Sequence, residues 1–273
     1  MKWRSWVLWL VAILITLLAA HYQRATGPTH PLRIKVQLGD VQIKCALPRS
    51  HGGAGGQEVR IPVPDTSVTG QIAWKHYPSD EPWQVIPMRR DGDYLVAELP
   101  HQPPAGKLQY EVKLRKGNSS IAFPEKPAVI RFKGHVPVGV LVPHILAMFL
   151  FMLFSNRAGL EALTNGPSTK AYSVTAVVLL LLGGFVLGPA VQYFAFGQWW
   201  TGAPFGWDLT DNKTLIALIF WLWALWSLRG NRSARWPVVL ASLVTLVIFL
   251  IPHSAWGSQL DWEKLETTTG PPK

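Results

Sequence analysis

The sequence predicts a multi-pass α-helical membrane protein with an inserted all-β sandwich domain. Hydrophobic residues make up 49% of the 273 residues and charged residues only 15%, whereas soluble domains carry about 25% charged residues. The apolar residues are concentrated in five uncharged runs. A polar segment with alternating hydrophobicity separates the first run from the other four.

The apolar runs suit membrane helices, because about 20 residues at about 1.5 Å each cross the hydrocarbon layer. They are Trp6 to Ala20, Val136 to Phe154, Tyr172 to Trp200, Thr214 to Leu228 and Trp236 to Ile251. The first run fits either a membrane anchor or a cleaved secretory signal. We therefore expect an N-terminal anchor or signal segment at 1–20, an extracytoplasmic β-sandwich domain at 21–135, a four-helix transmembrane bundle at 136–253 and an extracytoplasmic tail at 254–273.

Basic residues predict the orientation. Outside the β domain, three basic groups flank the runs on alternate sides: Lys2 and Arg4, then Arg157 and Lys170, then Arg229, Arg232 and Arg235. Placing all three groups in the cytoplasm satisfies the positive-inside rule. The β domain, the loop between the third and fourth runs and the tail then lie outside, as in a bacterial inner (cytoplasmic) membrane protein. This topology accounts for the formal net charge of +10, so we expect the lipid bilayer and no nucleic acid as a partner.

The segment from Leu32 to Lys133 alternates apolar and polar residues as half-buried strands do. Its strand-like stretches are LRIKVQL, VQIKCAL, EVRIPV, GQIAWKHY, WQVIPM, YLVAEL, LQYEVKL and AVIRF, with turn-rich stretches such as RRDGD and HQPPAGK between them. Seven or eight short strands in about 100 residues predict a two-sheet sandwich.

The stretch from Gln71 to Phe132 resembles immunoglobulin-like and fibronectin type III domains. Trp74 and Tyr110 are expected in its core, SHGGAGGQ at 50–57 as a flexible loop, and residues 30–134 as an independently folding unit. The domain contains no catalytic constellation. We interpret it as a binding or spacing module that contacts other membrane or periplasmic proteins.

Two histidines lie in or against the four C-terminal runs, each directly after a proline. His144 occurs in VPHI inside the second run, and His253 in IPHS just after the fifth. Ionisable side chains are costly inside a bilayer and are usually functional there. With the predicted orientation, both histidines lie on the outer side, together with the loop between the third and fourth runs.

That loop and the start of the fourth run read FGQWWTGAPFGWDLTDNKT at 196–214. Tryptophan offers a broad apolar face that suits a flat cofactor, but it is also enriched at membrane interfaces. Both explanations stay open for Trp199, Trp200 and Trp207, whereas anchoring or packing is expected for Trp221, Trp223, Trp226 and Trp236. Asp208 and Asp211 have an alternative role as helix N-caps, which we expect chiefly of Asp211.

The loop resembles that of the tryptophan-rich haem-handling membrane proteins of cytochrome c biogenesis, which reads approximately W-G-x-x-W-x-W-D. The comparable residues here are Gly197, Trp199, Trp200, Trp207 and Asp208, with TGAPFG inserted at 201–206. The order of helices and histidines is also similar. The resemblance implies that His144 and His253 are axial ligands of haem iron. It also implies that Trp199, Trp200, Trp207 and Asp208 support the porphyrin.

We therefore expect a pocket at the outer face that binds or handles haem in electron transfer or cytochrome assembly. Two alternatives remain open. His144 and His253 with Asp208 or Asp211 suit a non-haem metal or a quinone, and a structural subunit would dock a partner through the β domain without a cofactor. No nucleophile–base pair or phosphate loop indicates hydrolysis or phosphoryl transfer, and the single Cys45 rules out an internal disulfide.

Overall fold

The computed structural model describes residues 2–230, 235–253, 257–264 and 266–268. The chain forms two compact units. The helical unit comprises Met1–Gly27 and Val136–Gly257, and the β unit comprises Pro28–His135 and Ser258–Lys273. The coarse prediction, long apolar helices combined with a strand-rich segment, is confirmed.

The helical unit contains α1 (Lys2–Thr26), α2 (Val138–Leu163), α3 (Thr169–Leu180), α4 (Gly188–Phe196), α5 (Leu209–Gly230) and α6 (Trp236–Leu250), with a π-helical segment (Leu181–Leu187) between α3 and α4. Among the described residues, three stretches are long and apolar enough to cross a membrane, namely Trp3–Thr26, Val138–Leu163 and Thr169–Phe196. Trp236–Leu250 is apolar but shorter. Membrane crossing by the predicted fourth and fifth helices stays a prediction.

Small residues and one tryptophan lie among larger apolar side chains such as Phe151 and Leu180 in the core of the helical unit. Ala158 of α2, Ala176 of α3 and Ala217 of α5 are fully buried, and small side chains let helix backbones approach closely. Trp221 is also fully buried, and its Nε1–H donates to Thr245 Oγ1 at 3.0 Å. Trp221 is therefore a packing residue, as expected.

One of the basic residues used to predict orientation is not a free surface charge. Arg157 is 1% exposed, and its guanidinium forms an ion pair of 2.7 Å with Glu161 one turn later in α2. The guanidinium also lies 4.6 Å from the centre of the Tyr172 ring. Because its charge is paired inside the protein, Lys170, which is exposed, carries more of the orientation signal in this group.

The β unit contains twelve described strands: β1 (Leu32–Leu38), β2 (Val41–Leu47), β3 (Ser50–Gly52), β4 (Gln57–Pro62), β5 (Thr69–His76), β6 (Gln84–Pro87), β7 (Arg89–Asp91), β8 (Tyr94–Leu99), β9 (Lys107–Lys116), β10 (Ser119–Lys133), β11 (Gln259–Asp261) and β12 (Glu266–Thr268). They form a five-stranded sheet in the order β3-β10-β9-β5-β6 and a three-stranded sheet in the order β4-β8-β7. Two further pairs are β1-β2 and β11-β12. Side chains from these sheets share one hydrophobic core that includes Trp74 and Tyr110, as predicted for both.

Each predicted strand-like stretch overlaps an observed strand. Before β9, two short strands were not expected. Ser50–Gly52, predicted as part of a flexible loop, pairs in parallel with β10 at Arg131–Lys133. Arg89–Asp91 lies where a turn was predicted and pairs with β8. The partner of Ser50–Gly52 is distant in the chain, whereas Arg89–Asp91 forms a local hairpin with the strand that follows it.

The hairpin β11-β12 belongs to the β unit, although the sequence predicts a separate tail at 254–273. The Leu260 amide donates to Ala105 O at 3.1 Å. Trp262 Nε1–H donates to Tyr77 O at 3.2 Å, and the Trp262 and His76 rings lie 4.0 Å apart. Residues 254–256, 265 and 269–273 of the predicted tail lie outside the described residues.

Candidate functional site

The π-helical segment interrupts an otherwise continuous helix opposite His144. Pro189 has no N–H to donate, and its ring prevents the close approach of the carbonyl four residues earlier. The Gly188 N–H bonds to Gly183 O, five residues back, as in a π-helix. Such widened turns occur frequently at functional sites. Gly183 O thus accepts from the Gly188 amide, and its second lone pair accepts from a neighbouring side chain.

Glycines at this position also bring the helices close together. A Cβ on Gly183 would lie 2.9 Å from Met148 Sδ of α2, and one on Gly184 would lie 2.6 Å from Thr214 Cγ2 of α5. Both contacts are too short for a larger residue without displacement of a neighbour. The two glycines therefore seat the π-helical segment directly against α2 and α5.

His144 of α2 is half-buried and points to this segment. Its Nδ1 lies 2.9 Å from Gly183 O, and since a carbonyl oxygen only accepts, Nδ1 carries the proton. Nε2 therefore bears a lone pair. A backbone carbonyl that holds the Nδ1–H of a histidine is the usual way to orient an imidazole for metal ligation through Nε2.

His253 follows α6 and is brought to α1 by Gln23. The Gln23 Nε2 donates to Phe249 O at 2.7 Å and lies 3.3 Å from His253 Nδ1. Because the amide nitrogen is a donor, His253 Nδ1 accepts in this arrangement and Nε2 carries the proton. Its tautomer is thus the opposite of that of His144.

The two histidines lie at the same end of the helical unit. The His253 imidazole is within electrostatic range of both the Lys213 ammonium and the His144 imidazole. Lys213, in the first turns of α5, donates to Ile251 O at 2.8 Å, two residues before His253. α1, α2, α5 and the end of α6 therefore meet around one site.

An apolar groove of about 420 Å³ lies at this end of the helical unit, lined by Tyr22, Leu250, Ile251 and Pro252. Its lining residues flank Gln23 and His253 in the chain. The carbonyl of Ile251 is also the acceptor for Lys213. An apolar surface and a buried cation thus lie next to each other.

The tryptophan-containing loop is tied to the beginning of α5. Gly197 ends α4 with a φ of 75°, a left-handed conformation that glycine adopts without strain. The Thr201 amide donates to Asp211 Oδ2 at 2.6 Å, and the Ala203 amide donates to Asn212 Oδ1 at 2.7 Å. The DN pair of DLTDNKT therefore holds the loop backbone in place.

The helix cap is Asp208 rather than Asp211, which corrects the expectation from the sequence. Asp208 Oδ1 accepts from the Thr210 amide at 2.8 Å, the position of an N-cap carboxylate directly before α5. Asp211 lies inside the first turn and accepts instead from the Thr201 amide and from Thr201 Oγ1, at 2.6 and 3.2 Å. Both carboxylates thus hold the protein backbone.

The three loop tryptophans have different surroundings. Trp200 stacks on Phe185 of the π-helical segment, with ring centres 5.6 Å apart and an angle of 23° between the planes, and its Nε1–H donates to Ala203 O. Trp199 stacks on Tyr193 of α4 at 4.5 Å and is 58% exposed, and Trp207 is 76% exposed. Trp200 is therefore the loop tryptophan that packs on the segment bonded to His144.

Comparison of the chain with protein-family models, with curated proteins and with solved structures finds no match. Within the described ranges, no group of three or more His, Cys, Asp and Glu side chains is close enough to hold a metal ion. A metal centre formed by two histidines and a carboxylate is therefore not supported there. The geometry provides two imidazoles, an aromatic wall and a buried ammonium.

Three contributors to the site were missed by the sequence reasoning: Gln23, Lys213 and the π-helical segment. The segment had a visible signal, since LLGGFVLGP combines two glycines with a proline inside an apolar run. Lys213 lies directly before the fourth run and Gln23 shortly after the first, and the sequence pattern singles out neither. Only packing brings these two side chains to the histidines.

Proposed function

We propose that the protein is a multi-pass membrane protein whose helical unit binds haem, with His144 as a residue that would hold its iron. The observation that carries the proposal is the hydrogen bond of 2.9 Å between His144 Nδ1 and Gly183 O. It fixes the tautomer in which Nε2 is free to bind iron. A π-helical turn that supplies this carbonyl supports a functional role over mere packing.

The surrounding residues fit the group. His253 supplies the second imidazole, provided that its Nδ1 gives up the contact with Gln23 so that Nε2 can lose its proton. Trp200 and Phe185 form a stacked aromatic pair on the π-helical segment that also holds His144 Nδ1, and the Asp208 amide donates to Thr201 O in the loop that carries Trp200. Haem, when bound, supplies reversible one-electron chemistry that its axial ligands and burial tune.

The same proposal places the protein in the bacterial inner membrane, with the β unit as an immunoglobulin-like sandwich outside the cytoplasm. The long apolar helices and the basic residues between alternate runs support this placement. The β unit would then bind membrane or periplasmic partners in electron transfer or cytochrome assembly.

An absorption spectrum of the purified full-length protein tests the haem proposal. We expect a Soret band with low-spin features in the wild type, loss of bound haem in His144→Ala, and a high-spin spectrum in His253→Ala because one ligand is removed. Trp226→Ala is the matched control, since Trp226 is 70% exposed, and it should retain haem. A wild type prepared with added haem that shows no Soret band, or a His144→Ala variant with an unchanged spectrum, would contradict the proposal.

A partner-docking subunit without a cofactor is the second candidate, and the exposed aromatic residues of the loop favour it. Phe205 is 82% exposed and Trp207 is 76% exposed, and exposed aromatic side chains are typical of binding surfaces. In that case the double variant Phe205→Ser and Trp207→Ser should shift the protein to a smaller complex in detergent extracts. This second candidate function also predicts that the purified wild type contains no haem.

A further inference from the structure

Lys213 is an unusually placed positive charge. The side chain is 3% exposed, and an ammonium has three N–H donors. Among the described residues, its one hydrogen bond goes to Ile251 O at 2.8 Å, and no carboxylate forms an ion pair with it. Burial of a charge that is not directly paired destabilises the folded protein. A bound ligand with a negative charge would offset this destabilisation.

A purely structural role accounts for only part of this arrangement. A lysine that donates to a carbonyl at the end of a helix stabilises that end, which is what the bond to Ile251 does. Asp208 acts electrostatically on Lys213 but forms no ion pair with it among the described residues, and its Oδ1 caps α5. Asp211 is held by Thr201. Both carboxylates thus accept from backbone amides, and within the described part of the chain Lys213 uses one of its three donors.

The surroundings indicate the kind of ligand. The Lys213 charge acts on His253, which in turn lies within electrostatic range of His144. The acceptor residue Ile251 also lines the apolar groove. A molecule that suits this site has an apolar body facing the groove and the imidazoles, and an anionic edge facing Lys213.

We propose that Lys213 binds a propionate carboxylate of the porphyrin, so that the site selects tetrapyrroles with free acid groups over neutral ones. This inference rests on the proposed haem function and identifies the chemical class that the site accepts. The carboxylate supplies a directly bonded counter-charge and accepts a charge-assisted hydrogen bond from Nζ.

The test is a titration of the full-length protein in neutral detergent with ferric protoporphyrin IX and, separately, with its dimethyl ester, followed by Soret absorbance. A hydrogen bond to a charged group corresponds to a tenfold or larger change in affinity, roughly. We therefore expect the wild type to bind the free acid about tenfold or more tightly than the ester. Lys213→Gln should abolish this preference but keep the low-spin spectrum, because both imidazoles remain.

Two further variants make the result interpretable. Lys213→Arg keeps the charge and should keep the preference. Lys170→Gln removes an exposed lysine and should behave as the wild type. If Lys213→Gln does not fold, the wild type and Lys213→Arg still test the role of Lys213, because both are expected to bind the free acid more tightly than the ester.

The outcomes separate the two proposals. Equal binding of acid and ester by the wild type, or an undiminished preference in folded Lys213→Gln, would overturn the role of Lys213 and leave the haem site standing. The second of these results would also point to another cation, or to a lipid phosphate as the partner of Lys213. Absence of binding by either porphyrin would overturn both proposals.

Discussion

Replacement of Gly202 by alanine should detach the tryptophan-containing loop from α5. The new Cβ would lie 2.6 Å from Asp211 Cβ and 2.9 Å from Asn212 Oδ1, so the loop or the first turn of α5 must move. Gly202 separates the two residues whose amides donate to those same side chains, at 2.6 and 2.7 Å. One of these buried hydrogen bonds goes to a carboxylate, and loss of both amounts to about 2–4 kcal/mol of unfolding free energy.

Unfolding of the helical unit, followed by circular dichroism during heating or titration with a denaturing detergent, measures this loss. Gly139→Ala is the matched control, because a Cβ at that exposed position in α2 meets no atom within 4 Å. Its stability should stay within about 1 kcal/mol of the wild type. Equal stabilities of the Gly202→Ala and Gly139→Ala variants would show that Asp211 and Asn212 do not hold the loop.

Three other predictions concern the β unit and the topology. A soluble chain of 28–135 linked to 258–268 should melt several degrees above 28–135 alone, because the hairpin buries apolar surface and adds hydrogen bonds. Equal melting temperatures would contradict this. Burial, with a smaller contribution from a neighbouring arginine, lowers the pKa of Lys107 from 10.5 to about 8. The unfolded chain therefore binds more protons between these values, and the unfolding free energy should rise with pH in that window. Lys107→Met should remove this rise in urea titrations, and identical slopes would refute the assignment. Reporter fusions after Thr164 and after Ser233, the latter outside the described residues, should report cytoplasm, and a periplasmic signal at either would overturn the orientation.

Much of the β unit could be predicted because alternation is a local signal. VQIKCAL and YLVAEL coincide with β2 and β8 to the residue. The strand Ser50–Gly52 could not be recognised, since glycine and histidine have no strand preference and its partner lies about 80 residues later in β10. The β11-β12 hairpin was missed for the same reason, because its contacts are with residues far away in the sequence.

In the helical unit, the sequence indicated candidate site residues but not the contacts that position them. His144 stood out because a histidine inside an apolar run is costly. The choice between Asp208 and Asp211 as cap depends on where α5 begins, and helix boundaries shift by a residue or two. The burial of Lys213 depends on the end of α6 folding over it. No pattern within the fourth run contains that information.

The two parts of the β unit are separated in the chain by all of the helices after α1. During synthesis on the ribosome, residues 28–135 emerge first, whereas the hairpin that covers Ala105 and Tyr77 emerges only after α6. The last contacts of the β unit therefore form when the helices have already been translated. The β unit can therefore reach its full stability only after the whole helical unit has been translated.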